Sequence, residues 1–311
     1  MAATSGSRGR LLARAARAAL LRMGKGAGDF VRRVYVKAGE DDIFFLAGGI
    51  AFNVLVAALP FLMLLIAVFG FLLERAVEDP RQTAVDYVMS ILPPSQRIVE
   101  ITSAIVDDVV AGRTSFGILG LVLFMWTSTR LFGSLRSVLR HVFDLPEERP
   151  IVKGKIFDLQ MVLAAGTLFV LNTGITVMVQ AAHTYGANWL DVADRPEAKL
   201  VSRGLAQIMA FAFIFLMFVL IYRFLPVRRT PWRISLVAAA FASVVWELLK
   251  GSFAWYIASV ADYTTTYGTL VAPVILVFWV YYSAIVFVLA GEVAYVHDLV
   301  RIRRRQRELL E

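Results

Sequence analysis

Five polar or charged side chains stand within stretches otherwise apolar enough to lie in lipid: Asn53, Arg130, Glu247, Lys250 and Glu292. Facing hydrocarbon, a charged group costs several kcal/mol, so such residues turn toward a bundle interior, a partner or a water-filled path. Their chemistry is binding and translocation rather than bond-making. Glu247 and Lys250 are i, i+3 neighbours on one helical face and can pair. As a neutral couple turned toward the bundle, they suit an amphiphilic or zwitterionic head group in a polar cavity. Arg130 and Glu292 fall at a similar depth toward one end of their spans, and the cost of leaving either unpaired predicts that they meet. Paired charges of this kind also serve only to fix helix register.

Catalytic templates are absent. His141, His183 and His297 are far apart in sequence, so no zinc cluster is expected. No phosphate-binding GxxxxGK[ST], no GxSxG and no HExxH occurs. Asp107-Asp108 reads as a solvated helix face. There is no Cys, which excludes thiol catalysis, iron–sulfur clusters and disulfides. No cofactor, metal, nucleic-acid partner or enzymatic activity is expected.

Four stretches without a charged residue, 43–73, 159–182, 204–222 and 263–291, are each long enough to cross a bilayer, which takes about 20 apolar residues. Two more, 115–139 with Arg130 and 234–257 with Glu247 and Lys250, are interrupted by charge. The composition agrees: 59% apolar, 18% charged, mean hydropathy +0.68, against about 45–50% and about 25% in soluble domains. The expected fold is all-α, with six transmembrane helices at about 43–73, 115–139, 157–182, 204–224, 234–257 and 266–296. Lys and Arg number nine, five, four and five on one set of connecting segments, and four, three and none on the other. This alternation puts both termini in the cytoplasm and makes the net charge of +8 a matter of topology and anionic lipid.

Residues 1–28 contain no acid and are expected to be a basic cytoplasmic extension, with Arg10, Arg14 and Arg17 on one helical face. An amphipathic helix at about Phe30–Lys37 leads into span one, and residues 301–311 form a basic cytoplasmic tail. Segment 74–114 has helical spacing on either side of Pro93-Pro94, which predicts two short amphipathic helices capping the outer face. Pro60 and Pro273 are candidate kinks, of the sort that recur around transporter substrate sites and also in plain packing bends. Asn172 suits an interhelical hydrogen bond.

Three stretches carry a resemblance: AFNVLVAALPFLMLL in span one, LFMWTSTRLFGSLRSVLRHVFDLPEERP through span two, and VVWELLKG…YGTL…FWVYYSAIVFVLAGEVAYV at the C-terminal end. Together they resemble the YihY/BrkB family of six-span bacterial inner-membrane proteins over about residues 30–300. The family-like positions are Pro60, Trp126, Arg136, Arg149, Trp246, Tyr256, Tyr267, Gly268, Trp279, Gly291 and Glu292; Asn53 departs from the pattern. Members were once labelled ribonuclease BN, a label this sequence does not support, since it lacks a metal-ligand cluster and its basic loops are short. Other associations of the family, with serum resistance and envelope export, imply a transporter. The leading expectation is export or flipping of a lipid or small solute through a cavity lined by spans one, two, five and six. The alternative is a non-transporting scaffold for envelope assembly. Anionic membrane lipids are the expected partners at the basic segments; the sequence does not specify a substrate, an energy source or an oligomeric state.

Overall fold

The computed structural model describes residues 28–76, 96–146, 150–189, 196–227, 230–259 and 271–310. Among them are seven helices and no strand: α1 (28–40), α2 (Ile43–Ala76), α3 (Gln96–Val142), α4 (Ile151–Trp189), α5 (Pro196–Phe224), α6 (Trp232–Ser259) and α7 (Val271–Glu308). Six of them, α2 to α7, are long and apolar enough to cross a membrane. Each expected span lies mainly within one of these six.

Several helices extend beyond the expected spans, two of them in ways that change the reading. At 47 residues, α3 is about 70 Å long, more than twice a hydrocarbon core. The second of the two expected cap helices is therefore the first part of α3, continuous with span two. No proline or glycine separates Gln96 from Ala111, and the apolar period runs on without a break. The expected tail is likewise helical to Glu308 as the end of α7. Segment 1–27, the cap helix expected around Ala84–Leu92, Pro93-Pro94, Arg149 and Tyr267-Gly268 lie outside the described residues.

Successive helices pack as neighbours, and α7 closes the ring on α2 while also touching α3. A buried core fills the part of the bundle next to α1. It is built from Ala47 and Ile50 of α2, Leu135, Leu139 and Val142 of α3, Tyr222 of α5, Ala238, Ala239 and Ala242 of α6, and Val288, Ala290 and Ala294 of α7. Small side chains dominate the α6 and α7 contributions, which lets the backbones approach where dispersion rather than water expulsion drives association. Tyr222 ties α5 to α7: its hydroxyl donates to the Phe287 carbonyl at 2.6 Å and its ring stacks on Phe287 at 5.1 Å. Ring contacts continue outward through Phe218, Trp246, Trp279 and Phe253.

The turns beside α1 are chemically specified. Asp42, between α1 and α2, has φ 49°, and Asp144, after α3, has φ 47°. Asp tolerates this left-handed region better than most residues with a Cβ. At α3, the Leu145 N–H reaches the Arg140 carbonyl at 2.9 Å and the Asp144 N–H reaches His141 at 3.0 Å. That is a Schellman closure with Asp144 at the position glycine usually takes.

α7 approaches α3 closely at Gly291, where an added Cβ would come within 2.9 Å of Val142 Cγ1. A β-branched valine cannot swing away easily. Gly291→Ala should therefore cost about 1–3 kcal/mol, read as a lower midpoint of thermal unfolding in detergent. Adding Val142→Ala should recover part of the loss; strictly additive effects of the two substitutions would show that the contact is not tight.

Candidate functional site

The groups capable of chemistry collect at the α1 end of the bundle. Lys37, one turn before the end of α1, donates to Asp41 at 2.9 Å and to Asp144 at 3.1 Å. Tyr295 of α7 donates to the other Asp144 oxygen at 2.5 Å, and the Lys37 ammonium lies 5.3 Å from the Tyr295 ring centre. His141 Nε2 is 3.9 Å from Asp41. One lysine thus joins α1 to the turn after α3 and to Tyr295 of α7. Burial works to lower the Lys37 pKa, but its bonds to Asp41 and Asp144 outweigh burial and hold it well above the ordinary lysine value. Burial works to raise Asp144, and the Tyr295 hydroxyl and Lys37 overcome it, leaving its carboxyl below the ordinary value.

Glu292 lies within range of this cluster. It is completely buried, and no donor among the described residues reaches either of its oxygens. Asp41 is 6% exposed, and its second oxygen also lacks a donor. The charged groups that act on Glu292 are Asp41, Lys37 and Asp144.

A second buried ion pair joins α3 to α4. Asp158, fully buried, accepts two bonds from Arg136, from Nε at 3.1 Å and Nη2 at 2.9 Å. The guanidinium rests on Gly154, where an added Cβ would stand 3.1 Å from it.

Along α1 and α7 runs a groove of two characters. Its apolar part, about 630 Å³, is walled by α1 (Phe30, Val34, Tyr35), the start of α2, Phe241 of α6, and Leu289 and Val293 of α7. Its basic part, about 450 Å³, is lined by Phe30, Arg33, His297, Arg301, Arg303 and Arg307, with Asp29 and Val300. Phe30 belongs to both. Leu289, Val293, His297 and Arg301 recur every four residues, so one stripe of α7 changes from apolar to basic over about 18 Å. Val34 of α1 packs against Val293 and Val296 of α7.

The residues singled out in sequence do not form one site. Arg130 is exposed, while its neighbours Thr127 and Ser128 take the inward face of α3. The expected Arg130–Glu292 pair does not form. Glu247 and Lys250 pair at 2.8 Å with side chains 52% and 38% exposed; the inward face of α6 is filled by Ala239, Ala242, Ser243 and half-buried Trp246. Asn53 donates to the Gly49 carbonyl of its own helix at 2.8 Å. The helix continues through Pro60, and Pro273 stands in the first described turn of α7. Sequence reasoning missed Lys37, Asp41, Asp144 and Asp158 as site residues. Asp158 had one available signal, since it directly borders an uncharged run.

A family model described as virulence factor BrkB matches residues 34–309, from the middle of α1 to the end of α7. The chain belongs to the BrkB family. It is 26% identical to a UPF0761 membrane protein of Ralstonia nicotianae over 269 residues, covering 85% of this chain and 58% of that protein. A UPF0761 membrane protein of Rhodospirillum centenum is 28% identical over 267 residues, covering 83% and 55%. A Bacillus subtilis relative named ribonuclease-like protein YfkH is 20% identical over 247 residues, covering 78% and 86%. The chain thus spans little more than half the length of the first two BrkB relatives. No solved structure matches it. Among the described residues, no group of three His, Cys, Asp or Glu could hold a metal ion.

Two outcomes follow for this BrkB chain. Arg136→Met leaves a buried carboxylate unpaired and should destabilise by about 3–5 kcal/mol, most of it recovered in Arg136→Met/Asp158→Leu. A double variant no more stable than the single would remove the ion pair as the cause. The pH dependence of the Lys37–Asp144 bond has a definite sign. With its pKa lowered, Asp144 contributes above the ordinary carboxylate range and loses that contribution as pH falls. Lys37, raised, contributes below the ordinary lysine range and loses it only in strong alkali. Asp144→Asn should therefore lower the melting midpoint at neutral pH, and its gap from wild type should close toward about pH 3. A gap independent of pH would contradict the assignment.

Proposed function

We propose that the protein moves an anionic amphiphile, a phospholipid or a lipid-like molecule, across a bacterial inner membrane, with the α1 end of the bundle in the cytoplasm. The observation that carries this reading is the α1–α7 groove. A slot lined by Val34, Leu289, Val293 and Phe241 suits an acyl chain. Arg33 of α1, with Arg301, Arg303 and Arg307 about two to four turns past Val293 toward the end of α7, suits a phosphate-bearing head. The order along α7 matches a lipid in a leaflet, tail toward the bilayer centre and head toward water. The orientation is supported by the excess of Lys and Arg on the segments at this end. The Glu247–Lys250 pair, half-exposed on α6, stands apart from this groove.

The test uses vesicles containing the full chain and a fluorescent anionic phospholipid, with chemical quenching of the outer leaflet. Protein-dependent flipping is expected. Leu289→Trp, which fills the slot, should reduce it, and the triple change Arg33→Gln/Arg301→Gln/Arg307→Gln should weaken lipid retention about five-fold per arginine, from roughly 1 kcal/mol each. Flipping no faster than in protein-free vesicles, with lipid still retained, would make the chain a lipid-binding scaffold and refute transport. A reporter fused after Glu311 should read cytoplasmic; an external reading would invert the groove and defeat the orientation.

A further inference from the structure

The fully buried Glu292 is not needed by the groove and is not explained by it. Membrane bundles do bury carboxylates, but each then finds an arginine, a lysine or several donors. Asp158 does so, with two bonds from Arg136. Glu292 does not: both its oxygens lack a donor among the described residues, as does one oxygen of the adjoining Asp41.

The nearby donors are already committed. Lys37 is bound to Asp41 and Asp144, and the Tyr295 hydroxyl to Asp144. His141 stands 3.9 Å from the Asp41 oxygen that Lys37 already holds. Of the other elements packed on α7, α2 has no charged residue between Ile43 and Leu73 and α6 has none between Ile234 and Trp246. α3 carries Arg136, which is bound to Asp158, and Arg140 and His141 next to Val142. If all were ionised, three carboxyl groups, Asp41, Asp144 and Glu292, would share the charge of Lys37. Two carboxylates confined together in a low-dielectric interior cannot both stay charged without a cation between them.

We propose that Glu292 and Asp41 form a site for one exchangeable proton. A proton taken up from water on the α1 side converts one carboxylate to a carboxylic acid, whose O–H donates to the other. No other bond forms or breaks. Asp41 Oδ1 is held by Lys37, so Oδ2, the oxygen without a donor, is the one that shares. A proton suits the site better than a metal ion, because it needs two oxygens whereas a cation needs a full shell. No such group of ligands is found among the described residues. The location is also informative. The site joins the α1–α2 turn to α7, so its charge state bears directly on how α1 and α7 sit together. Gain or loss of this proton would thus couple to the groove those helices form. The proton site itself stands whatever the groove carries.

The test is infrared spectroscopy of the full chain in lipid nanodiscs, without added substrate. At neutral pH the wild type should show a protonated carboxyl C=O band. The band should vanish in Glu292→Gln, shift in frequency in Asp41→Asn, and stay unchanged in Glu247→Gln, whose carboxylate is half-exposed and paired with Lys250. If Glu292→Gln does not fold, the wild-type band can still be titrated, and it should disappear as pH is raised. Absence of any protonated band at neutral pH would overturn the proposal. So would its persistence in Glu292→Gln, or stabilisation of the wild type by sodium ion rather than by acid. Because no lipid movement is measured, failure here is distinguishable from failure of the transport reading.

Discussion

The arrangement rests on how closely α7 can approach its neighbours. Ala284, Ala290, Gly291 and Ala294 remove side-chain bulk from α7 where α2, α3 and α6 meet it. At Gly291 the distance to Val142 leaves no room even for a methyl group. Glu292 is the next residue, so the contact that locks α7 to α3 also seals a carboxyl group from solvent. Beyond Glu292, α7 continues past the packed core and supplies the surface on which α1 lies. Core, buried carboxyl and groove thus share one helix, with the basic part of the groove running on past the core.

Electrostatics divides the charged residues by level. Deep charges are matched geometrically, as in Arg136–Asp158, because an unmatched one costs several kcal/mol. Near the end of the bundle, Lys37 gathers carboxylates from two separate turns, and Asp144 holds a left-handed backbone that a glycine would adopt more easily. Glycine there would keep the turn and lose both the Lys37 bond and the Tyr295 bond. At the surface the arginines of α1 and α7 exceed their acidic neighbours, which makes the groove attractive to anions.

The helices were legible because lipid imposes a simple rule: uncharged runs of sufficient length must span. The interrupted spans depart from it: Arg130 is exposed on α3, and Glu247 and Lys250 pair with each other within one helix turn. Glu292 was legible as a charge at the edge of such a run. Its surroundings were not. Lys37 and Asp144 are 107 residues apart, and a single sequence contains no signal linking them. Asp158 borders an uncharged run as Glu292 does, but its partner Arg136 lies 22 residues away on another helix, and no sequence signal joins the two. The pairing expected between Arg130 and Glu292 failed because depth alone does not fix which face of a helix a residue occupies. The groove was hidden for a related reason: the arginines from Arg301 onward read as a topogenic tail, and only the continuation of α7 to Glu308 aligns them with Leu289 and Val293.

The central claim is that the α1–α7 groove holds an anionic lipid, tail by Leu289 and head by the terminal arginines. Site-specific photo-crosslinking in native membranes tests it most directly, with a photoreactive residue at Leu289 or Phe30 and a control at Leu248, exposed on α6 away from the groove. The account predicts phospholipid adducts enriched in anionic head groups at both groove positions relative to Leu248. Adducts at all three positions in the proportions of the bulk membrane would contradict it.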